Sequence, residues 1–546
     1  MNSMGMFKRP THSRSKVVSL YMLDWRGIFL VLVGGAASWF AWGGEPPRGP
    51  VSPDDESPTN ATPYVFGVKS CRGCHGQEVP EKGDFTLVEA RIWDRHDPHR
   101  FALDWGRAPD GAFRSAAGAR AFEIGARLGI EDVTKSDLCI GCHSVAVEDP
   151  KSQQAFSPLD EGVTCVACHG AHVEWVKEHW VPNQPSWRDL TRSQKWQNAG
   201  MVDLWNPLTR ADACLSCHVG VTHPQNRKQM RHDFYEAGHP PLPPFELAAF
   251  TEQEVPHWIG LRCKSAAGKG PKRLEQTELV MASALATVDR ALEAFADDTG
   301  QSQFVTEYAR FDCASCHHDL RKASDETWSG TPGSAPGRPT SPRWMMVLAP
   351  AVIEVLQGTQ ALETFEAKMS IFRKALAARP FGDPVASAKA AAEVREWLKA
   401  SRMALEAATL GNIEDHAFTI ETTRELMRRI ATIGASQTHD FDSTRQLAWA
   451  LRALWNEYAQ VNGKAAGSDI DELIARLDAQ LGLEFRGIPC SDEECPDPAH
   501  KLVTETRSTP IVGDRLGSRL QMASRFQPGI ARECLAQIAD LLRKLP

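Results

Sequence analysis

"GVTCVACHGAHVEWVKEHW", residues 162–180, sets Cys165, Cys168 and His169 in the order C-x-x-C-H and follows them with His172 and His179. Four other stretches repeat the pattern: Cys71-Arg-Gly-Cys74-His75, Cys139-Ile-Gly-Cys142-His143, Cys214-Leu-Ser-Cys217-His218 and Cys313-Ala-Ser-Cys316-His317. Together they use ten of the 14 cysteines. The chain's own Cys and His frequencies would give roughly 0.01 copies by chance, so five copies mark a chemistry.

That chemistry is covalent haem attachment. Two thiols at this spacing add to the two vinyl groups of the porphyrin. The histidine after the second cysteine then sits under the ring and offers its nitrogen to iron. Zinc is the rival, but a tetrahedral site gathers four ligands, commonly two C-x-x-C pairs or one pair with two histidines. Five separate pairs, each with its own histidine, do not take that form. The cofactor expected is haem c, five copies, held by Cys71, Cys74, Cys139, Cys142, Cys165, Cys168, Cys214, Cys217, Cys313 and Cys316. The expected iron ligands are His75, His143, His169, His218 and His317.

Working outward, residues 1–26 form a basic, cytoplasmic segment, and residues 27–44 carry no charge. The uncharged run is a signal peptide or a signal-anchor helix. As a helix it spans roughly 27 Å, against a hydrocarbon core of about 30 Å. Ala36-Ala37-Ser38 suits cleavage, whereas Trp39 and Phe40 directly after it do not, which favours an anchor in the cytoplasmic membrane. Either reading exports the remainder to the periplasmic side. Residues 45–66, with six prolines, read as a linker. A haem domain at 67–322 and a second linker at 323–343 follow. The net charge of -8 gives no sign of nucleic-acid binding.

Residues 344–483 read as a helical domain. Asp383-Pro384 has the form of an N-cap followed by proline at the first helical position. Val394, Leu398 and Leu405 then fall on one face, as do Leu447, Leu451 and Leu454 in 442–459, and 470–483 reads as a third helix. Residues 484–546 read as an irregular tail with a terminal helix near 529–544. Cys263, Cys490, Cys495 and Cys534 lie outside the haem motifs. In an exported chain they suggest disulfides, with Cys490 and Cys495 close enough to pair.

Each iron has a second axial position, where histidine gives a closed, six-coordinate centre suited to electron transfer. Nine histidines remain between 67 and 322: His96, His99, His172, His179, His223, His232, His239, His257 and His318. His172 is too near His169 to cross the same ring. His179, about 15 Å further along if the stretch is helical, points to a different haem. The second and third motifs start 26 residues apart, which makes their haems neighbours.

The stretches "WDRHDPHRFA", "GVTCVACHGAHVEWVKEH", "RADACLSCHVG", "HDFYEAGHP" and "FDCASCHHDL" resemble the multihaem cytochrome c-554 family, over just under half of the chain. The resemblance implies a mainly α, haem-packed domain with little regular sheet and mostly bis-histidine iron. It implies distal ligation by His99, His179 and His239, with His232 a further candidate. The fold expected for the whole chain is such a domain followed by a C-terminal helical bundle. The function expected is electron relay between redox protein partners, with membrane contact through the N-terminal segment. The alternative is a catalytic multihaem oxidoreductase acting on small nitrogen or sulfur compounds at an open haem. This chain departs from the family's tetrahaem pattern in its fifth motif and its helical region.

Overall fold

A computed structural model describes residues 62–76, 89–106, 115–145, 147, 151–181, 187–220, 228–253, 274–296, 307–317, 338–378, 381–410, 418–462, 468–483 and 522–545. The basic segment, the uncharged run 27–44, Cys263, Cys490 and Cys495 lie outside these residues, as do His223, His257 and His318. The fold is mainly α. Its named strands are β1 (Val65–Phe66) and β2 (Gln153–Gln154), paired in parallel with Val65 opposite Gln153. Among the described residues no helix is long and apolar enough to cross a membrane.

Short helices carry the first four motifs: α1 (Val68–His75), α3 (Asp137–His143), α4 (Cys165–His169) and, longer, α6 (Pro207–His218). Between them lie α2 (Glu89–His96) and α5 (Val173–Glu178). α7 (His232–Glu236) follows, and the fifth motif sits in a 3-10 turn at Cys313–Ser315. α6 starts where its sequence predicts: Asn206 Oδ1 accepts from Leu208 N at 2.9 Å, and Pro207 occupies the first helical position.

Around α1 to α5 the apolar residues collect in small groups. One holds Val65, Phe66, Val166, Trp175 and Ala199; another Leu103, Trp105, Val133 and Ile140; a third Val68, Ala90 and Trp93. Polar bonds tie these groups together. The Trp93 indole donates to Val163 O at 3.1 Å, and Val68 N donates to the buried Glu161 carboxylate at 2.8 Å.

The rest of the chain shares one continuous core. Its axis is α8 (Glu275–Ala296), in which 18 of 22 residues are buried. A helix apolar on every side belongs at the centre of a bundle. Packed against it are α6, α9 (Ala349–Gln357), α11 (Pro384–Leu410) and α13 (Phe441–Asn462), while α10 (Thr359–Ala377) packs on α11 and α12 (Ile420–Ser436) on α13. α14 (Ser468–Leu481) and α15 (Pro528–Lys544) close the bundle. Val394, Leu398, Leu405, Leu447, Leu451 and Leu454 are all buried. At the start of α11, Asp383 Oδ1 accepts from Ala386 N at 3.1 Å. Cys534 is a buried free thiol on α15.

The core runs through helices on both sides of 323–343, where the sequence suggests a linker. α6 contributes Leu208, Ala211 and Leu215 to it. Asp212 on α6 pairs with Arg402 on α11, and Asn206 Nδ2 donates to Glu406 Oε1 at 2.9 Å. The helix that bears the fourth motif is therefore bolted to the bundle.

Candidate haem centres

In α1, α3, α4 and α6 the two cysteines of each motif lie three residues apart on one helical face, with the histidine one turn beyond the first. The opening stretch begins at Gly162 for a steric reason. Its φ is +59°, and a Cβ there would lie 2.6 Å from His99 O. That close passage lets Val163 N donate to His99 O at 3.0 Å, locking α4 against the loop that holds His99.

Four motif histidines each face a histidine from elsewhere. The ring centres of His75 and His179 are 6.3 Å apart with planes at 24°. His143 and His239 are 6.3 Å apart at 69°, and His218 and His99 are 6.4 Å apart at 90°. His317 and His232 are 6.3 Å apart at 16°. His179, ten residues after His169, thus stands over the first motif rather than its own. The third motif's His169 lies beside Trp175, ring centres 6.2 Å apart, and Trp175 Nε1 donates to Gly170 O at 2.6 Å. His172, at the start of α5, donates through Nδ1 to Gly200 O at 3.1 Å and turns edge-on to Trp196.

In six of these eight rings Nδ1 is engaged. His143 Nδ1 donates to Ala102 O at 2.8 Å, and His239 Nδ1 to Pro240 O at 2.7 Å. His179 Nδ1 is 3.0 Å from Trp175 O and from Val176 O. Carboxylates serve His75 (Glu89, 3.0 Å), His99 (Asp97, 2.9 Å) and His232 (Glu236, 3.1 Å). Burial pushes the His143 and His218 rings down to about 4, with their His239 and His99 neighbours adding to the effect. Burial also lowers His179 and His239, while the Glu89 carboxylate raises His75. Neutral imidazole is the form that binds metal.

The thiols also fall together. Cys71 contacts Cys165, joining the first and third motifs, and Cys142 contacts Cys217, joining the second and fourth. The sequence gap suggests a second–third neighbour pair; the chain's path through α1 and α6 adds these two contacts, which spacing alone does not show. Lys228 Nζ lies 3.5 Å from Cys217 Sγ, and Phe245 stacks on the His218 ring at 4.5 Å.

A profile of the family described as "Cytochrome c554 and c-prime" matches residues 110–170, which include the second and third motifs. Over this stretch the chain is cytochrome c-554-like. The match supports a haem c electron-transfer protein. No curated protein and no solved structure matches the chain.

The residues fit the group that a c-554-like chain implies. An iron bound by two imidazoles through Nε2, at about 2.0 Å each with the ring centre about 1.1 Å beyond, separates the ring centres by about 6.2 Å. The four observed separations are 6.3 to 6.4 Å. In His75, His99, His143, His179, His232 and His239 the Nδ1 contacts to carbonyls and carboxylates leave Nε2 as the metal-facing nitrogen, the usual arrangement around a metal-bound histidine. Among the described residues no group of three His, Cys, Asp or Glu side chains is placed to hold a bare metal ion. Sequence reading does not find the Nδ1 acceptors. Asp97 two residues before His99 and Glu236 one turn after His232 have a local signal, whereas Glu89 and Ala102 are brought in by the fold.

Proposed function

We propose that the chain carries five haems c on its five C-x-x-C-H motifs and relays electrons between redox protein partners outside the cytoplasm. The supporting observation is the spacing of the four imidazole pairs. Two neutral histidines on opposite faces give a closed, low-spin iron that changes oxidation state with little rearrangement. In this reading His179 and His75 hold the first haem, His239 and His143 the second, His99 and His218 the fourth, and His232 and His317 the fifth. His169 is the proximal ligand of the third.

The haem supplies the electron-accepting iron and a broad apolar disc. The protein's part is to fix spacing and environment. The Cys71–Cys165 and Cys142–Cys217 contacts bring attachment points together, so haems one and three, and two and four, lie close enough for rapid transfer. Burial and the Nδ1 partners tune each potential; carboxylate partners make His75, His99 and His232 more electron-rich ligands than carbonyl partners make His143 or His239. The acidic chain favours basic docking patches on its partners. Residues 27–44 anchor the chain in the cytoplasmic membrane, with the haem domain on the periplasmic side.

Paramagnetic resonance of the oxidised holoprotein tests the assignments. The near-parallel pairs (His75/His179 and His317/His232) give rhombic low-spin signals, and the crossed pairs (His218/His99 and His143/His239) give strongly anisotropic ones. Intact mass shows five haem increments. Changing His179 to Ala converts one haem to high spin; if every haem stays six-coordinate, the pairing with His75 is wrong. Nitrite or hydroxylamine turnover at an iron of the intact protein would replace the carrier reading with a catalytic one.

A further inference from the structure

Glu161 ends the short helix Pro158–Glu161, four residues before Cys165, and is 5% exposed. Its Oε2 accepts from Val68 N at 2.8 Å, in the first turn of α1, the helix that carries Cys71, Cys74 and His75. One carboxylate thus ties the first motif's helix to the segment that leads into the third motif. Cys71 and Cys165 are in contact, and the Glu161 charge acts on the Cys71 sulfur. A neutral amide would accept from Val68 N as well. The tie alone therefore does not call for a buried carboxylate, whose charge costs desolvation.

Two cations act on that carboxylate: Lys69 on α1, and Arg100 in the turn Pro98–Phe101 that packs on its helix. Arg100 also pairs with Asp94 at 3.2 Å. The other titratable ring of the turn, His99, is engaged by Asp97 and faces His218. Asp160, beside Glu161 in sequence, accepts from Ser157 Oγ at 2.7 Å. Burial pushes the Glu161 carboxyl above its usual value, against the Val68 N–H and the Arg100 and Lys69 charges. In a low-dielectric interior a unit charge acts on its neighbours more strongly than in water. A group so placed responds to any change of charge at the two motifs it joins.

We propose that Glu161 couples proton uptake to electron transfer at the first and third motifs. It takes a proton from solvent as one of these irons gains an electron from a donor protein, and releases it when the electron moves on. The step balances: ferric iron and one electron give ferrous iron, and carboxylate and one proton give the carboxylic acid. The inference rests on the relay reading. Reduction removes one positive charge from the pair and so raises the proton affinity of Glu161. By the same linkage the ionised carboxylate favours ferric iron and holds the potential down.

Spectroelectrochemical titration of the full-length holoprotein from pH 5 to pH 9 tests the inference. Glu161→Gln keeps an acceptor for Val68 N and removes the charge. At pH 8 it raises the reduction equilibrium constant of one haem of the pair about tenfold, which is about 59 mV for one electron. The gap narrows toward pH 5, as the wild-type carboxyl becomes protonated. Infrared difference spectra of the wild type show a carboxylic acid band that grows on reduction and is missing from Glu161→Gln. Should that variant misfold, Glu161→Asp keeps the pH dependence of the potential and moves its midpoint. A Gln variant within about threefold of wild type at pH 8, a gap that stays constant with pH, a carboxylic acid band that survives the substitution, or an Asp variant with an unmoved midpoint each overturns the coupling. An intact mass without haem increments would sink the relay reading itself, whereas a pH-independent potential in haem-loaded protein sinks only the coupling.

Discussion

Trp93 and Leu285 are both buried, at 5% and 0% exposure, yet they sit in different kinds of interior. Trp93 shares its cluster with Val68 and Ala90. Leu285 lies in a core that extends from α6 to α15. Burying a large apolar side chain contributes about 1.5–3 kcal/mol, while ordering each residue's backbone costs about 1–2 kcal/mol. Small clusters therefore cannot hold the segment from 62 to 181 on apolar side chains alone, whereas the continuous core can hold the bundle. In the proposed reading the haem discs make up the difference. The two regions then depend on different things: one on a cofactor, the other on sequence.

The largest effect follows from removing that cofactor. Expressed without haem attachment, the chain loses hydrogen-exchange protection across α1 to α5, while amides around Leu447 to Leu454 stay protected. Exchange measured by mass spectrometry on the two forms checks this. Equal protection in both regions, with or without haem, would break the comparison.

A smaller effect tests how firmly the two regions are joined. Asp212 is 2% exposed, pairs with Arg402 and lies 3.6 Å from Arg290 Nε. Asp212→Asn takes one carboxylate from Arg402, which keeps Asp289 at 3.7 Å, and from Arg290, which keeps Glu293 at 2.9 Å, so it costs up to about 3 kcal/mol, the low end for breaking a buried pair. Asp94, which pairs with Arg72 at 3.1 Å near the surface, is the control, and its Asn variant costs less than about 1 kcal/mol. Urea unfolding followed by helix content separates the two. Because Asp212 precedes Cys214 on α6, Asp212→Asn also shifts the spectrum of the fourth haem. A spectrum that stays fixed while stability falls would mean that the bundle does not position that haem.

The same contrast decides what could be read from the sequence. The haem motifs are legible because covalent attachment depends on local spacing, which the chain displays directly. The amphipathic helices with Val394, Leu398 and Leu405 or with Leu447, Leu451 and Leu454 are legible because each has one apolar face. α8 is not, because "ELVMASALATVDRALEAF" spreads small and apolar residues around the whole helix and leaves no stripe to find. Its burial is set by α6, α11 and α13, which lie far from it along the chain. The pairing of His179 with His75 is of the same kind. The residues of α5 imply that His179 leads away from His169, but its destination depends on where α1 folds back.

The smallest predicted effect concerns the start of α8. Glu457, on α13, accepts from Gln276 N at 2.8 Å, Thr277 N at 3.0 Å and Thr277 Oγ1 at 2.6 Å. It caps α8 from another helix, where the dipole favours negative charge. Burial opposes that charge and prevails, pushing the carboxyl up to about 7. An acid raised in the folded state gives stability that is complete below its unfolded pKa, near 4.5, and lost as pH rises through about 7. Glu457→Gln keeps one acceptor and does not titrate, so the wild type loses stability relative to it over this range. The substitution costs about 1–2 kcal/mol near pH 5, as for a lost cap, and less near pH 8. Urea midpoints of the two proteins at both pH values read this directly. If the gap widens toward pH 8, the helix terminus outweighs burial at Glu457, and α8 is held by charge at its end as well as by the core along its length.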